Sequence, residues 1–230
     1  MNNYTDCCLC PRNCHVDRTQ GKTGYCGQTD QIRAARAALH MWEEPCISGD
    51  AGSGAVFFSG CPLGCVFCQN HSIAAGRLGK TIATERLAEI FLELQDQKAW
   101  NINLVTAGHF APQVVRALEL AKGQGLKLPI VYNTSGYEKV ETLRMFEGLV
   151  DIYLPDFKYL SARTPVWRGS CPGRRTTFPW LPTPSGRWCG RWEVLSLKLY
   201  PGKIPGGLRM SCSQTWIMET VNWNGCCRAW

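Results

Sequence analysis

Between residues 55 and 160 the chain alternates short apolar runs with longer segments whose apolar residues recur every three or four positions. The run Ala55-Val56-Phe57-Phe58 reads as a buried strand over 55–59. Leu87, Ile90, Phe91 and Leu94 then fall at helical spacing and predict a helix over roughly 84–98. Thr84 is its expected N-cap, with Glu85 in the first turn. A strand over 102–106 follows, then a helix over 112–122 with Pro112 in its first turn and an apolar stripe of Val114, Val115, Leu118 and Ala121. The pattern continues as a strand over 128–133, a short helix near 138–146 and a strand over 149–154. Such alternation makes parallel βαβ units. The expected fold is therefore α/β, a partial (β/α) barrel of four strands with its chemistry at their C-terminal ends.

The flanks are less periodic. Residues 32–41 are rich in Ala and Arg, which leaves helix and strand both open. Glu43-Glu44-Pro45-Cys46-Ile47-Ser48-Gly49 and Gly52-Ser53-Gly54 lead into the first strand. The glycines suit a tight turn, and Cys46 suits a packed apolar position. Beyond residue 160 sustained periodicity stops, apart from a short strand candidate at 194–199. Three segments result: a Cys-rich N-terminal extension over 1–48, the βα core over 49–160, and an atypical tail over 161–230. A barrel that ends after four strands exposes apolar edges, which predicts low solubility or self-association.

Charge separates the tail from the rest. The net charge of +7 arises wholly after residue 160, where the only acidic residues are Glu193 and Glu219. The tail also holds seven of the nine tryptophans and five of the 14 cysteines, with many Arg, Pro and Gly. Misread GC-rich codons give that composition, so a shift of reading frame near 160–165 is expected. The alternative is a basic, aromatic appendage that binds RNA by stacking and phosphate contacts. No nucleic-acid motif accompanies it, and nucleic acid is not the expected partner. No run of about 18 apolar residues indicates a membrane span. The N-terminus lacks the basic-then-apolar pattern of a secretory leader, so the cytoplasm is the expected compartment. There, many cysteines argue for metal rather than disulfides.

The densest chemistry is Gly60-Cys61-Pro62-Leu63-Gly64-Cys65-Val66-Phe67-Cys68-Gln69-Asn70, with Cys61, Cys65 and Cys68 spaced C-x3-C-x2-C. Thiolates are soft ligands that hold iron–sulfur clusters or zinc. Three of them leave one iron of a 4Fe-4S cluster open, and the glycines let a short loop wrap a compact cluster. A structural zinc loop usually uses paired C-x2-C knuckles and four ligands. A second group, Cys7, Cys10, Cys14 and Cys26, lies in a loop-rich segment with little core of its own. Bound metal, zinc or a further iron–sulfur cluster, would supply its folding energy. His15 could substitute as a ligand.

The C-x3-C-x2-C loop with Phe67 before its third cysteine resembles the radical S-adenosylmethionine (radical SAM) superfamily. The trailing Gln69-Asn70 is similar to proteins related to the pyruvate formate-lyase activating enzyme. Cys-Cys-Leu-Cys-Pro-Arg-Asn-Cys at 7–14 resembles an uncharacterised branch of those homologues. The resemblance covers about residues 5–160. It implies that Cys61, Cys65 and Cys68 hold a 4Fe-4S cluster whose open iron chelates SAM, with Phe67 beside the adenine. One electron then cleaves SAM to methionine and a 5'-deoxyadenosyl radical, which abstracts hydrogen from a substrate. It implies an electron donor such as a flavodoxin or ferredoxin, and a protein substrate of the glycyl-radical kind by analogy.

The other expected contacts stand at strand ends. Thr106-Ala107-Gly108-His109 occupies the place where activating enzymes carry a Gly-Gly-Glu motif, so His109 is the candidate there. Asn133-Thr134-Ser135-Gly136-Tyr137 is similar to the family's Asn-Thr-x-Gly-Tyr, and Asp156 with Lys158 resembles its Asp-x-Lys. Alternate strand residues point the same way, so that acid and amine would share a face. The alternative function is an iron–sulfur or zinc protein that does not cleave SAM.

Overall fold

The computed structural model describes residues 4–65 and 67–156; Lys158 and the segment 161–230, with its strand candidate, lie outside the described residues. Among the described residues there are six strands: β1 (Arg33–His40), β2 (Ser53–Phe58), β3 (Lys80–Thr81), β4 (Ile102–Val105), β5 (Ile130–Thr134) and β6 (Ile152–Pro155). The helices are α1 (Pro45–Ser48), α2 (His71–Ala74), α3 (Thr84–Asp96), α4 (Ala111–Gly123) and α5 (Val140–Arg144). The strands form one mixed sheet in the order β3-β1-β2-β4-β5-β6. The four strands expected from the pattern are β2, β4, β5 and β6, and they run parallel to one another.

The two additional strands correct the four-strand expectation. β1 is the Ala- and Arg-rich segment whose state the pattern left open, and it pairs antiparallel to β2. As a helix it would have left the backbone groups on that edge of β2 without ladder partners. β3 is only two residues long and antiparallel to β1, too short to show any period. The start of α3 also differs from expectation. Ala83 is its N-cap and makes no side-chain cap bond, while Thr84 is already helical. The last helix is shorter than expected, because Glu138 stays in the preceding segment and is buried there.

The register places Val56, Leu104 and Tyr132 side by side on one face of the sheet. That face is covered by α3 through Leu87, Phe91 and Leu94, and by α4 through Val114, Ala117, Leu118 and Ala121. The helical stripes predicted from sequence are thus the ones that face the sheet. Burying each large apolar side chain contributes about 1.5–3 kcal/mol. On the opposite face Ile47 of α1 packs with Val131 and Leu154, and Cys46 joins them as expected of an apolar filler. Higher on that face, Phe57, Val105 and Asn133 are in register and only half-buried. This is the more open patch at the C-terminal ends of the parallel strands.

The N-terminal extension docks on that same end. Tyr4, Cys7 and Leu9 make a small apolar cluster with Val16 and Met145. The Thr142 hydroxyl donates to the Leu9 carbonyl at 2.6 Å, and Tyr4 bonds Gln113 of α4. No helix among the described residues is long and apolar enough to cross a membrane.

Candidate functional site

β2 delivers its chain end to the edge of the sheet, and Ser59 is held there from three sides. Its N–H donates to the Arg33 carbonyl at 2.8 Å, and its hydroxyl donates to the Leu78 carbonyl. Its own carbonyl accepts from His109 Nε2 at 2.8 Å. That bond places the imidazole proton on Nε2. His109 is buried, so its pKa is pushed down to about 4, against the opposing pull of the Ser59 bond and with a smaller push from Arg18. At neutral pH it is an uncharged ring that fixes the residue two before Cys61.

Gly60 follows at φ +81°, a conformation that costs an L-residue strain. An added Cβ there would also collide with the Cys26 carbonyl oxygen of the extension. Gly64 repeats the arrangement at φ +68°, with the Tyr25 hydroxyl 2.6 Å from a would-be Cβ. Arg12 completes the support. Its Nε donates to the Pro62 carbonyl at 2.8 Å and its Nη2 to the Leu63 carbonyl at 3.1 Å, while its guanidinium stacks 3.6 Å over the Tyr25 ring. Two glycines and one arginine therefore seat the Cys61–Cys68 loop against the extension.

Cys61, Cys65 and Cys68 are free, half-buried thiols within electrostatic range of one another. Burial pushes the Cys61 thiol up, opposed by backbone N–H groups of Leu63 and Gly64. The Leu63 N–H lies 3.4 Å from Cys61 Sγ. A cation at the thiols would displace the protons, and such N–H donors favour thiolate sulfur. No three ligand atoms of the trio close to within 4.8 Å; among the described residues only Asp6, Cys8 and His15 do so. Zinc at about 2.3 Å from each sulfur would draw them to about 3.8 Å apart. Three soft donors on a glycine-hinged loop fit a cluster that three cysteines hold.

The remaining expected residues are distributed around this loop. Phe67 is 54% exposed beside the cysteines in sequence. Asn133 stands on the half-open face with Phe57 and Val105. Gly136 adopts positive φ as expected, and its N–H donates to the Thr134 hydroxyl at 3.1 Å. Asp156 is exposed at the end of β6, and its N–H donates to the Thr134 carbonyl at 2.7 Å, which sets the Asn133–Gly136 turn beside it. Lys158 lies outside the described residues.

Several residues near the site gave no signal in the sequence. Arg12 and Arg18 have no role assigned from the sequence. Arg18 is wholly buried and donates from Nη1 to the His109 carbonyl at 2.7 Å. Glu138 is buried near Thr134 and against Gly108, and burial pushes its carboxyl up to about 7 despite a bond from Thr134. His15 pairs with Asp6 at 2.8 Å, and its Nδ1 lies 3.5 Å from the Cys8 sulfur, at an exposed position. Cys7, Cys10, Cys14 and Cys26 lie within electrostatic range of one another.

Residues 55–168 match the radical SAM superfamily. That span begins within β2 and takes in the cysteine loop and the parallel strands among the described residues, whose arrangement is consistent with part of a radical SAM fold. The chain is 30% identical over 165 residues to a protein of Methanocaldococcus jannaschii named "Uncharacterized protein MJ0674". The alignment takes in 69% of this chain and 47% of the relative, so the chain spans about half the length of the curated relative it matches. No solved structure matches the chain.

Proposed function

We propose that this protein is a radical SAM enzyme of the activating-enzyme type, reductively cleaving SAM to abstract hydrogen from a partner, by analogy a protein. The observation that carries the reading is the loop itself: three free thiols at the C-terminal end of β2, on two positive-φ glycines, held by His109 and Arg12. Cys61, Cys65 and Cys68 would hold a 4Fe-4S cluster, which supplies the low-potential electron and an open iron for SAM. The protein's part is orientation and exclusion of water.

His109 serves this site through the backbone, as a positioning residue that fixes the Ser59 carbonyl and hence the entry to Cys61. Asn133 offers its amide on the half-open face where SAM would lie, with the Thr134–Gly136 turn at its edge. Phe67, exposed next to Cys68, would cover the adenine. Asp156, with Lys158 beyond it, would bind polar groups of SAM or substrate. The Gln69-Asn70 and Asn133-Thr134-Ser135-Gly136-Tyr137 sequences support the activating-enzyme branch. A flavodoxin or ferredoxin would donate the electron.

The test is electron paramagnetic resonance of the anaerobically reconstituted, dithionite-reduced chain, with and without SAM. A reduced-cluster signal that changes on adding SAM, and whose SAM-sensitive part is lost in Cys65→Ala, supports the reading. A cluster signal indifferent to SAM would instead favour an iron–sulfur protein that does not cleave it.

A further inference from the structure

The N-terminal cysteines are not used by the site just described, yet the structure gathers them on its rim. Cys10 lies in the electrostatic field of Cys26, Cys14 and Cys7, and Cys26 in that of Cys7 and Cys14. All four are free thiols, and Cys7 is buried. The neighbouring Cys8 lies against Asp6 and His15 and is also in the field of Cys7 and Cys14.

A second observation comes from Arg18. This side chain is wholly buried, and no carboxylate lies within ion-pair distance of it among the described residues. Its guanidinium donates to the carbonyls of Thr29 and His109, lies over the Tyr4 ring, and sets Nη1 3.7 Å from Cys7 Sγ. Carbonyls and a ring satisfy its N–H groups but not its charge. A buried cation without a counter-charge is costly, so the site calls for an anion at this spot. Asp30 lies in the field of the same Tyr4 ring but outside ion-pair distance, and the Cys7 thiol at 3.7 Å becomes anionic on binding metal. A third feature is the Tyr25 N–H, 3.3 Å from Cys14 Sγ, the kind of amide-to-sulfur bond that tunes cluster thiolates.

A cluster spans more widely set sulfurs than a single zinc does. No three of the four come within 4.8 Å, just as in the Cys61, Cys65 and Cys68 loop, whereas a zinc centre with sulfurs at about 2.3 Å would draw them to about 3.8 Å apart. We propose that Cys7, Cys10, Cys14 and Cys26 ligate a second iron–sulfur cluster, saturated by cysteine and charge-balanced by Arg18, that clamps the extension onto the SAM-cluster loop. The clamp has visible contacts. The Cys26 carbonyl abuts Gly60, and Arg12, between Cys10 and Cys14 in sequence, holds the Pro62 and Leu63 carbonyls. With four protein ligands this centre has no open iron for SAM, so its place in the protein is structural and electronic.

The decisive experiment uses the full chain carrying Cys61→Ala, Cys65→Ala and Cys68→Ala together, reconstituted anaerobically with iron and sulfide and with zinc present. Iron, zinc and acid-labile sulfide are counted per chain, and the Mössbauer spectrum is recorded. Iron with an equal amount of sulfide and a cluster spectrum is the expected result. It would stand even if the SAM reading of the other loop failed, because that loop is absent from the measurement. One zinc without sulfide, or no metal, overturns the proposal. Should the triple variant aggregate, the question is read on the otherwise intact chain. Cys26→Ala is expected to lower iron and sulfide by about half and Cys8→Ser to leave both unchanged, as two clusters of similar size require. Unchanged content in Cys26→Ala overturns it equally. In the triple variant Arg18→Gln should make the cluster more readily lost to chelator; equal loss rates would remove Arg18 from the argument.

Discussion

Gly60 is the point where extension and cluster loop meet, and replacing it with alanine tests that contact quantitatively. The residue sits at φ +81°, so any L side chain there incurs about 1–2 kcal/mol of left-handed strain. The new methyl would also meet the Cys26 carbonyl, which is backbone and cannot rotate away, and Gln28 Cγ at 2.6 Å. Overpacking of this kind costs about 1–3 kcal/mol more. Gly60→Ala should therefore lose about 2–5 kcal/mol in total. Gly21→Ala isolates the strain, because Gly21 has φ +76° with nothing within 4 Å of its would-be Cβ. It should lose only about 1–2 kcal/mol. Gly123, in α4 with open space around it, should gain about 0.5–1 kcal/mol on the same change. Urea unfolding of the three variants under one set of anaerobic conditions gives the differences directly, provided the slope of the transition is unchanged. A Gly60→Ala chain no less stable than Gly21→Ala would show that the extension does not press on the loop.

Glu138 makes stability pH-dependent in a defined direction. Its folded pKa of about 7 lies above the ordinary 4.5, so its contribution is complete below pH 4.5 and is lost as pH rises to 7. The loss amounts to roughly 3 kcal/mol, and unfolding of Glu138→Gln across pH 4.5–7.5 should lack it. His109 acts oppositely: its folded pKa of about 4 lies below 6.5, so stability is lost as pH falls from 6.5 to 4. The two trends offset one another in the wild-type chain, and Glu138→Gln should unmask a monotonic loss on acidification; a profile unchanged from wild type would refute the assignment. Arg12→Ala removes two charge-assisted bonds to the Pro62 and Leu63 carbonyls, each worth about 1.5–3 kcal/mol. Faster cluster loss to chelator is expected, with partial retention in Arg12→Lys, and identical loss rates would deny Arg12 a role in seating the loop. Phe91→Ala empties the centre of the core between α3 and the sheet and should cost about 3–5 kcal/mol by urea unfolding. A cost below about 1 kcal/mol would mean that this face is not the packed core.

The parallel part of the fold was legible because its signals are local. Leu87, Phe91 and Leu94, or Val114 and Leu118, declare a helix by spacing, and runs such as Ala55–Phe58 declare a buried strand. The cysteine loop was equally plain, since its thiols are close in sequence. What escaped depends on contacts between distant residues. β1 became a strand because β2 offered it an edge, and β3 is a two-residue addition to that edge. Arg18 reaches His109 across 91 positions, and Arg12 reaches Pro62 across 50. Nothing local distinguishes these arginines from solvated ones. His109 was a cofactor-binding candidate from its place after a strand; its burial and its hydrogen bond to Ser59 could be known only from the structure. Glu138 looked like the polar start of a helix, and only the turn at Gly136 shows why it is buried instead.

The central claim is that the Cys61–Cys68 loop holds a cluster at which SAM is cleaved. The most direct measurement is formation of 5'-deoxyadenosine by the anaerobically reconstituted chain with dithionite and SAM, with Cys65→Ala in parallel. Product from the parent and none from the variant is the predicted result. A parent chain that carries its full complement of cluster iron and yields no more product than Cys65→Ala would contradict the claim.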